Sequence, residues 1–167
     1  MTQGVERQTV DLSAYPDLVV IYLGMRAKSL RGVGTILRLG PQIRRAAAAR
    51  PDGLLRHESL LFSLLPLHIG MRQYWRDLDA LEQWSRVLPH QDWWVNFLRD
   101  PGGTSFWHET YSVRGGFEAI YDDVAPPLGM MAFAPTLRAR GPMFSARHRL
   151  KREGEAPAAP VPEAEIY

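Results

Sequence analysis

The stretch Leu18-Val-Val-Ile-Tyr-Leu-Gly-Met25 decides the fold. It is rich in β-branched and aromatic residues, it has no charged member, and Tyr15-Pro16-Asp17 before it supplies turn chemistry. Such a run reads as a strand buried on both faces, hence a central strand rather than an edge.

Working outward, Leu30, Val33, Leu37 and Ile43 recur at helical spacing, so residues 30–50 read as a helix, with Gly40-Pro41 as a kink or a break into two pieces. Pro51-Asp52-Gly53 ends it. Strands are expected over Leu54 to Leu61 and Leu67 to Trp75, separated by Leu64-Leu65-Pro66. In the later strand Leu67, Ile69, Met71 and Trp75 share one side, while His68, Gly70, Arg72 and Tyr74 share the other. Asp79-Ala-Leu-Glu82 has the capping-box pattern of a helix start, and Leu78, Leu81, Trp84 and Leu88 give that helix an apolar stripe. Pro89 interrupts it before a shorter helix over His90 to Arg99. After the turn Asp100-Pro-Gly-Gly103 comes a strand from Thr104 to Val113, then a bend at Gly115-Gly116 and a further extended piece, Phe117 to Tyr121.

This β-α-β-β-α-β order is the ferredoxin-like α+β arrangement, an antiparallel sheet with its helices on one face. Apolar side chains on the remaining face call for a cover, and a second subunit is the expected one: a homodimer formed through the sheet face. Residues 1–150 are expected to form a single domain that ends in an irregular arm, marked by Pro126-Pro127, Gly129 and Pro135. Residues 151–167, dominated by Ala, Pro and Glu, read as a disordered tail.

Composition narrows the function. With 46% hydrophobic and 23% charged residues the chain belongs with globular proteins, and its lack of cysteine excludes disulfides, thiolate catalysis and cysteine-ligated metals. Residues 1–10 lack a charged start followed by an apolar run, and Leu18 to Met25 is too short to span a bilayer. A cytoplasmic location without a membrane partner is therefore expected. The net charge is only +2, and the arginines are scattered apart from a cluster over Arg138 to Arg152, so no nucleic-acid partner is expected. Phosphate loop, nucleophile elbow and H-E-x-x-H pair are all absent, Gly32-Val-Gly34 lacks the third glycine of a dinucleotide fingerprint, and no His and carboxylate cluster has metal-ligand spacing.

Three constellations could carry chemistry. In Phe106-Trp-His-Glu-Thr-Tyr111, strand alternation puts Trp107, Glu109 and Tyr111 on one side and Phe106, His108 and Thr110 on the other. His108 is either a core hydrogen-bonding group or a proton acceptor, and Glu109 is either an ion-pair partner of an arginine or part of a site. In His90-Gln-Asp-Trp-Trp94, His90 either starts a helix or faces a cavity as a base or haem ligand, and Trp84, Trp93 and Trp94 are either core or the walls of a flat apolar pocket. Arg72 and Tyr74, with His68 and Arg76, form either an anion-stabilising face or a dimer rim. His57 and Glu58 point to opposite sides of their strand.

Val19 to Lys28, Gln73-Tyr-Trp-Arg76 leading into Leu81-Glu-Gln-Trp84, Pro89-His90 with Trp93-Trp94, and Trp107-His-Glu-Thr-Tyr111 followed by Tyr121 resemble the fumagillin-pathway monooxygenase-like family. That family is related to the antibiotic-biosynthesis monooxygenases and more distantly to spheroidene monooxygenase. The resemblance covers roughly residues 15–140. It implies a dimeric α+β barrel of secondary metabolism, with a pocket between sheet and helices in each subunit. It also implies a monooxygenase-like oxidoreductase for an aromatic or polyene metabolite, working either without a cofactor or with haem b. In the first case His108 or His90 is the base, Arg72 or Tyr111 stabilises the anion, and Glu109 stands beside them. Trp84, Trp93, Trp94, Trp107, Arg72 and Tyr74 then surround the substrate. In the second case His90 or His108 is the axial ligand. The rival reading is a non-catalytic dimer that binds a flat apolar ligand or haem.

Overall fold

The structure, a computed structural model, describes residues 6–112, 117–119, 121, 122, 124, 126, 127 and 129–144. In chain order its elements are β1 (Arg7–Val10), β2 (Val19–Ala27), α1 (Leu30–Ala48), β3 (Leu54–Ser63), β4 (His68–Trp75), α2 (Leu78–Arg86), α3 (His90–Arg99), β5 (Thr104–Ser112), β6 (Tyr121–Asp122) and β7 (Thr136–Arg138). They fall into two compact units, one of Asp17–Ser112 and one of Met1–Pro16 with Val113–Tyr167.

The Asp17–Ser112 unit is an antiparallel four-stranded sheet in the order β3-β4-β2-β5, and it is ferredoxin-like α+β. Strand β2 lies between β4 and β5, which is why both of its faces are apolar. Val19 stands opposite Trp75 and Ser112, and Leu23 opposite Met71 and His108. Alternation therefore sends Val19, Ile21, Leu23, Gln73, Trp75, Phe106 and His108 to the helix face. Tyr22, Arg72, Tyr74, Trp107, Glu109 and Tyr111 go to the other. On the helix face Val19, Trp75, Ala80 and Leu81 form a buried cluster, extended by Ile21, Leu54 and Trp84.

The helix starts follow from local chemistry. The Ser29 hydroxyl accepts the Gly32 N–H at the start of α1, and the Asp77 carboxylate accepts the Ala80 N–H at 2.7 Å at the start of α2. The cap of α2 is thus Asp77, not Asp79, which already lies in the first turn. A second correction concerns the break into two pieces, one of the two outcomes expected at Pro41. Helix α1 runs unbroken through it, because the side carrying Leu37 and Pro41 is exposed and the carbonyl freed by the missing N–H can turn to water. Pro89 does separate two helices, α2 ending at Arg86 and α3 starting at His90.

The second unit holds a three-stranded antiparallel sheet, β6-β1-β7, in which Gln8 pairs with Tyr121 on one side and Arg138 on the other. The Thr9 hydroxyl donates to the Ala119 carbonyl at 2.8 Å. The arm expected to be irregular therefore contains a strand, β7, flanked by 3-10 turns at Gly129–Ala132 and Gly141–Phe144. The extended piece expected over Phe117 to Tyr121 is a strand only at Tyr121–Asp122. The Gly115-Gly116 bend and the tail at 151–167 lie outside the described residues.

Two glycines of α1 test this packing with opposite signs. A Cβ on Gly32 would stand 2.1 Å from the Gly103 carbonyl oxygen, whereas a Cβ on Gly34 would meet nothing within 4 Å. Gly32→Ala is expected to destabilise by about 1–3 kcal/mol and Gly34→Ala to stabilise by roughly 0.5–1 kcal/mol. Urea unfolding followed by circular dichroism measures both, and equal effects would show that α1 does not sit against the Gly103 loop as described.

Candidate active site

Between the helix face of the sheet and helices α2 and α3 lies a cleft of about 440 Å³. Its walls are mainly apolar: Ile21 and Leu23 from β2, Leu81 and Trp84 from α2, Trp94 from α3 and Phe106 from β5. His90 and His108 also line it, together with Gln73, Thr110, Glu82, Ser85 and Arg86. The cleft brings together two imidazoles that are 18 positions apart in the chain, one from the first turn of α3 and one from the middle of β5. A volume in the hundreds of cubic ångströms, apolar walls and a few polar groups are the ordinary makings of a small-molecule site.

His90 is half-buried, its ring packed 4.7 Å from Trp84 and 5.8 Å from Trp93, centroid to centroid. Its Nδ1 is 3.1 Å from the Ser85 carbonyl oxygen. A carbonyl can only accept, so Nδ1 carries the hydrogen and Nε2 keeps its lone pair. Burial pushes the His90 pKa below the usual imidazole value of 6.5, against a smaller opposing effect of the Ser85 hydrogen bond. Its place in the first turn of α3, where the helix dipole is positive, also disfavours the cation. His90 is therefore a neutral base at pH 7. His108 is exposed at the mouth, its ring 5.9 Å from that of Phe106.

Gln73, fully buried, underlies the cleft. The Trp75 indole N–H donates to its Oε1 at 3.2 Å, which leaves Nε2 to donate to His57 Nδ1 at 3.1 Å. His57 must then hold its proton on Nε2, which is buried with no hydrogen-bond partner. Burial, with the Arg56 charge next, lowers the His57 pKa, which agrees with a neutral ring.

The remaining candidates stand elsewhere. Trp93 lines a smaller hollow of about 220 Å³ between α1 and α3, beside Met25, Arg38 and Phe97. Trp107, Arg72, Tyr74, Glu109 and Tyr111 are all on the far face of the sheet. The Trp107 indole lies over Gly24, where an added Cβ would come within 2.9 Å of Nε1, and it donates to His68 Nε2 at 2.9 Å. Arg72 donates to Glu58 at 2.6 and 2.9 Å and to the Tyr22 hydroxyl at 3.0 Å, and it sits 5.7 and 5.3 Å from the Tyr22 and Tyr74 ring centroids. Burial opposes its charge, but those hydrogen bonds outweigh burial and hold its pKa above the ordinary guanidinium range. Tyr111 donates to Glu109, and that hydrogen bond pushes the Tyr111 phenol up. Glu109 and Tyr111 thus face away from His108, and the two sets do not form one constellation.

Sequence reasoning missed Gln73 and Phe106 as parts of the cleft. For Gln73 there was a signal: it is the one amide on the side of β4 that otherwise carries Ile69, Met71 and Trp75.

No group of three His, Cys, Asp or Glu among the described residues is arranged to hold a metal ion. For haem the requirement is a neutral imidazole with one nitrogen tied to a carbonyl and the other free, and His90 meets it.

A family model described as monooxygenase af470-like matches residues 18–130. Among solved structures, an aldoxime dehydratase shares 22% identity over 80% of this chain and 39% of its own, with a TM-score of 0.62. Aldoxime dehydratase OxdRE in complex with butyraldoxime shares 21% over 82% and 39%, with a TM-score of 0.58. The chain thus spans about 39% of the length of these two enzymes, and at this identity the likeness is one of fold. SnoaB, a cofactor-independent oxygenase from Streptomyces nogalater, shares 16% over 66% and 99%, with a TM-score of 0.45. No curated protein matches the chain.

The neutral state of His90 has a measurable consequence. The unfolded chain takes up a proton near pH 6.5 whereas the folded chain resists it, so the stability His90 contributes is complete above that pH and declines as pH falls through it towards the lowered folded value. His57 acts in the same direction. Thermal unfolding of the His90→Gln variant is expected to lose less stability between neutral and mildly acid pH than the unsubstituted protein. An identical pH dependence would show that His90 is not held neutral.

Proposed function

The chain belongs to the monooxygenase af470-like family, and we propose that it oxygenates a flat, apolar, aromatic or polyene metabolite bound in the cleft between the sheet and helices α2 and α3. The observation that carries the reading is His90: a neutral imidazole, its tautomer set by Ser85, among tryptophans in an apolar cleft.

In the cofactor-free version, Nε2 of His90 takes a proton from an activated C–H of the substrate, a CH₂ flanked by phenolic rings being the simplest case. The carbanion passes electrons to dioxygen, the peroxide formed at that carbon loses water, and the sum is CH₂ + O₂ → C=O + H₂O. Trp84, Trp94 and Phe106 align the rings and exclude water, so that the carbanion meets oxygen before it is reprotonated. His108, at the mouth, is the second proton carrier on the path to solvent. Glu109, Tyr111, Arg72, Tyr74 and Trp107, on the other sheet face, are assigned to a contact with a second copy of the chain, which would complete a dimeric barrel.

The free nitrogen of His90 favours a second version, in which it holds a haem iron. Bound haem would supply iron-centred oxygen chemistry, and the protein would contribute His90 to hold it and Trp84, Trp94 and Phe106 as apolar walls.

Oxygen uptake with a tricyclic phenol bearing an acidic CH₂ tests the first version. His90→Ala is expected to lower turnover by about a hundredfold or more, and unchanged turnover removes His90 from the site. An absorption spectrum of the freshly purified protein tests the second. A Soret band lost in His90→Ala supports it, and a colourless protein that stays unchanged on adding haemin overturns it. Ligand binding, read by tryptophan quenching, without oxygen uptake and without haem would leave a binding protein rather than an enzyme.

A further inference from the structure

The β3–β4 hairpin ends in Leu61-Phe-Ser-Leu-Leu-Pro66, and its large side chains stand in water: Leu61 is 60%, Phe62 46%, Leu64 71% and Leu65 93% exposed. Leu30, on the first turn of α1, is 91% exposed. The backbone gathers these residues at one end of the Asp17–Ser112 unit. The Ala27 N–H donates to the Leu67 carbonyl at 2.8 Å, Arg26 pairs with His68, and the Lys28 N–H donates to the Gly103 carbonyl at 2.8 Å. Hairpin tip, β2–α1 turn and α3–β5 loop therefore share that end. Its exposed charges are Arg26, Lys28, Arg31 and Arg99, against one carboxylate, Asp100, which is already engaged by Arg31 and by the Gly102 N–H.

We propose that this end of the unit is a docking site for an anionic lipid surface, with Leu64 and Leu65 as the inserting residues. Leu64 and Leu65 stand in the turn past the end of β3 at Ser63, whereas Leu61 and Phe62 belong to the strand and Phe62 stacks on His68 at 4.6 Å, so the projecting side chains form a narrow tip rather than a flat face for a protein partner to cover. A fluid hydrocarbon medium accepts them all at once. The Ser63 hydroxyl donates to the Pro66 carbonyl at 2.6 Å and closes the tip, so the finger is formed before it meets the membrane. The surrounding cations meet phosphate headgroups at the depth where Lys and Arg contribute to peripheral binding. This is attachment rather than spanning, since no described helix is long and apolar enough to cross a membrane. It stands apart from the cleft, none of whose lining residues it uses.

The test is sedimentation of the full chain with phosphatidylcholine vesicles, with and without phosphatidylglycerol, beside circular dichroism and light scattering of the same samples. The unsubstituted protein is expected to bind the anionic vesicles, and added salt to weaken that binding. The folded double variant Leu64→Ser/Leu65→Ser should bind about a hundredfold more weakly. Lys28→Glu should weaken binding to anionic vesicles and leave that to neutral ones unchanged. No binding by the unsubstituted protein, or equal binding by the folded double variant, overturns the proposal. So does a double variant that falls from dimer to monomer without lipid while the unsubstituted protein ignores vesicles, since the tip would then be a contact between copies.

Discussion

The full burial of Trp75 at the end of β4 is the constraint on which the cleft depends. With Val19 beside it on β2 and Ala80 and Leu81 above, it fixes the start of α2 against one end of the sheet. Removing a side chain of that size from water contributes roughly 4–6 kcal/mol by area. Helix α3, by contrast, has no fully buried residue and meets the sheet through edge-on and tilted ring contacts, Trp94 and Phe97 against Phe106 at 5.4 and 5.8 Å. One helix is anchored and the next leans on aromatics, and between them a space remains that neither can close. Gln73 belongs to the same arrangement: the buried indole N–H of Trp75 needs an acceptor, and the amide that provides it passes the demand on to His57.

Strand alternation then divides the chemistry. His108 and Glu109 are neighbours in sequence and on opposite faces of β5, so no rotamer of Glu109 can orient His108. A register slip of one residue would exchange the sets, bringing Trp107, Glu109 and Tyr111 into the cleft and sending Phe106 and His108 out. The register is held by nine consecutive pairs between β2 and β5 and by the fit of the Trp107 indole over Gly24. The carboxylate and phenol on the far face satisfy one another there, much as Arg72 and Glu58 do.

Much of the fold could be read from the chain because local chemistry and tertiary structure agree in the Asp17–Ser112 unit. The apolar run at residues 18–25, the Pro89 break and the Asp100-Pro-Gly-Gly103 turn each specify one outcome. Strand β1 could not be read, since Arg7-Gln-Thr-Val10 has a single apolar residue and no alternation, and it becomes a strand only through pairing with β6 and β7. Asp79 was a misleading cap because Asp77, two residues earlier, offers the same carboxylate with extended backbone geometry. For the site, the facing of each β5 residue was legible from period two. Which tryptophans share the cleft was not, because Trp93 and Trp94 lie about 100° apart on α3 and the direction that helix faces is set by the rings it meets.

Burial distinguishes His90 from the exposed His108, and under the proposed function it also constrains the substrate. A ring withdrawn from water stays neutral and can accept a proton, but the same withdrawal lowers its affinity for one, so His90 is a base weaker than free imidazole. A weak base extracts a proton at a useful rate only from carbon whose conjugate anion is already delocalised, because the proton-transfer barrier follows the difference in pKa. Aromatic walls have the complementary effect, since they offer a spread-out anion polarisable contact without the water that would return the proton. A cleft of this kind is therefore suited to a conjugated, electron-rich C–H acid and poorly suited to an isolated aliphatic one, whichever species finally receives the electrons.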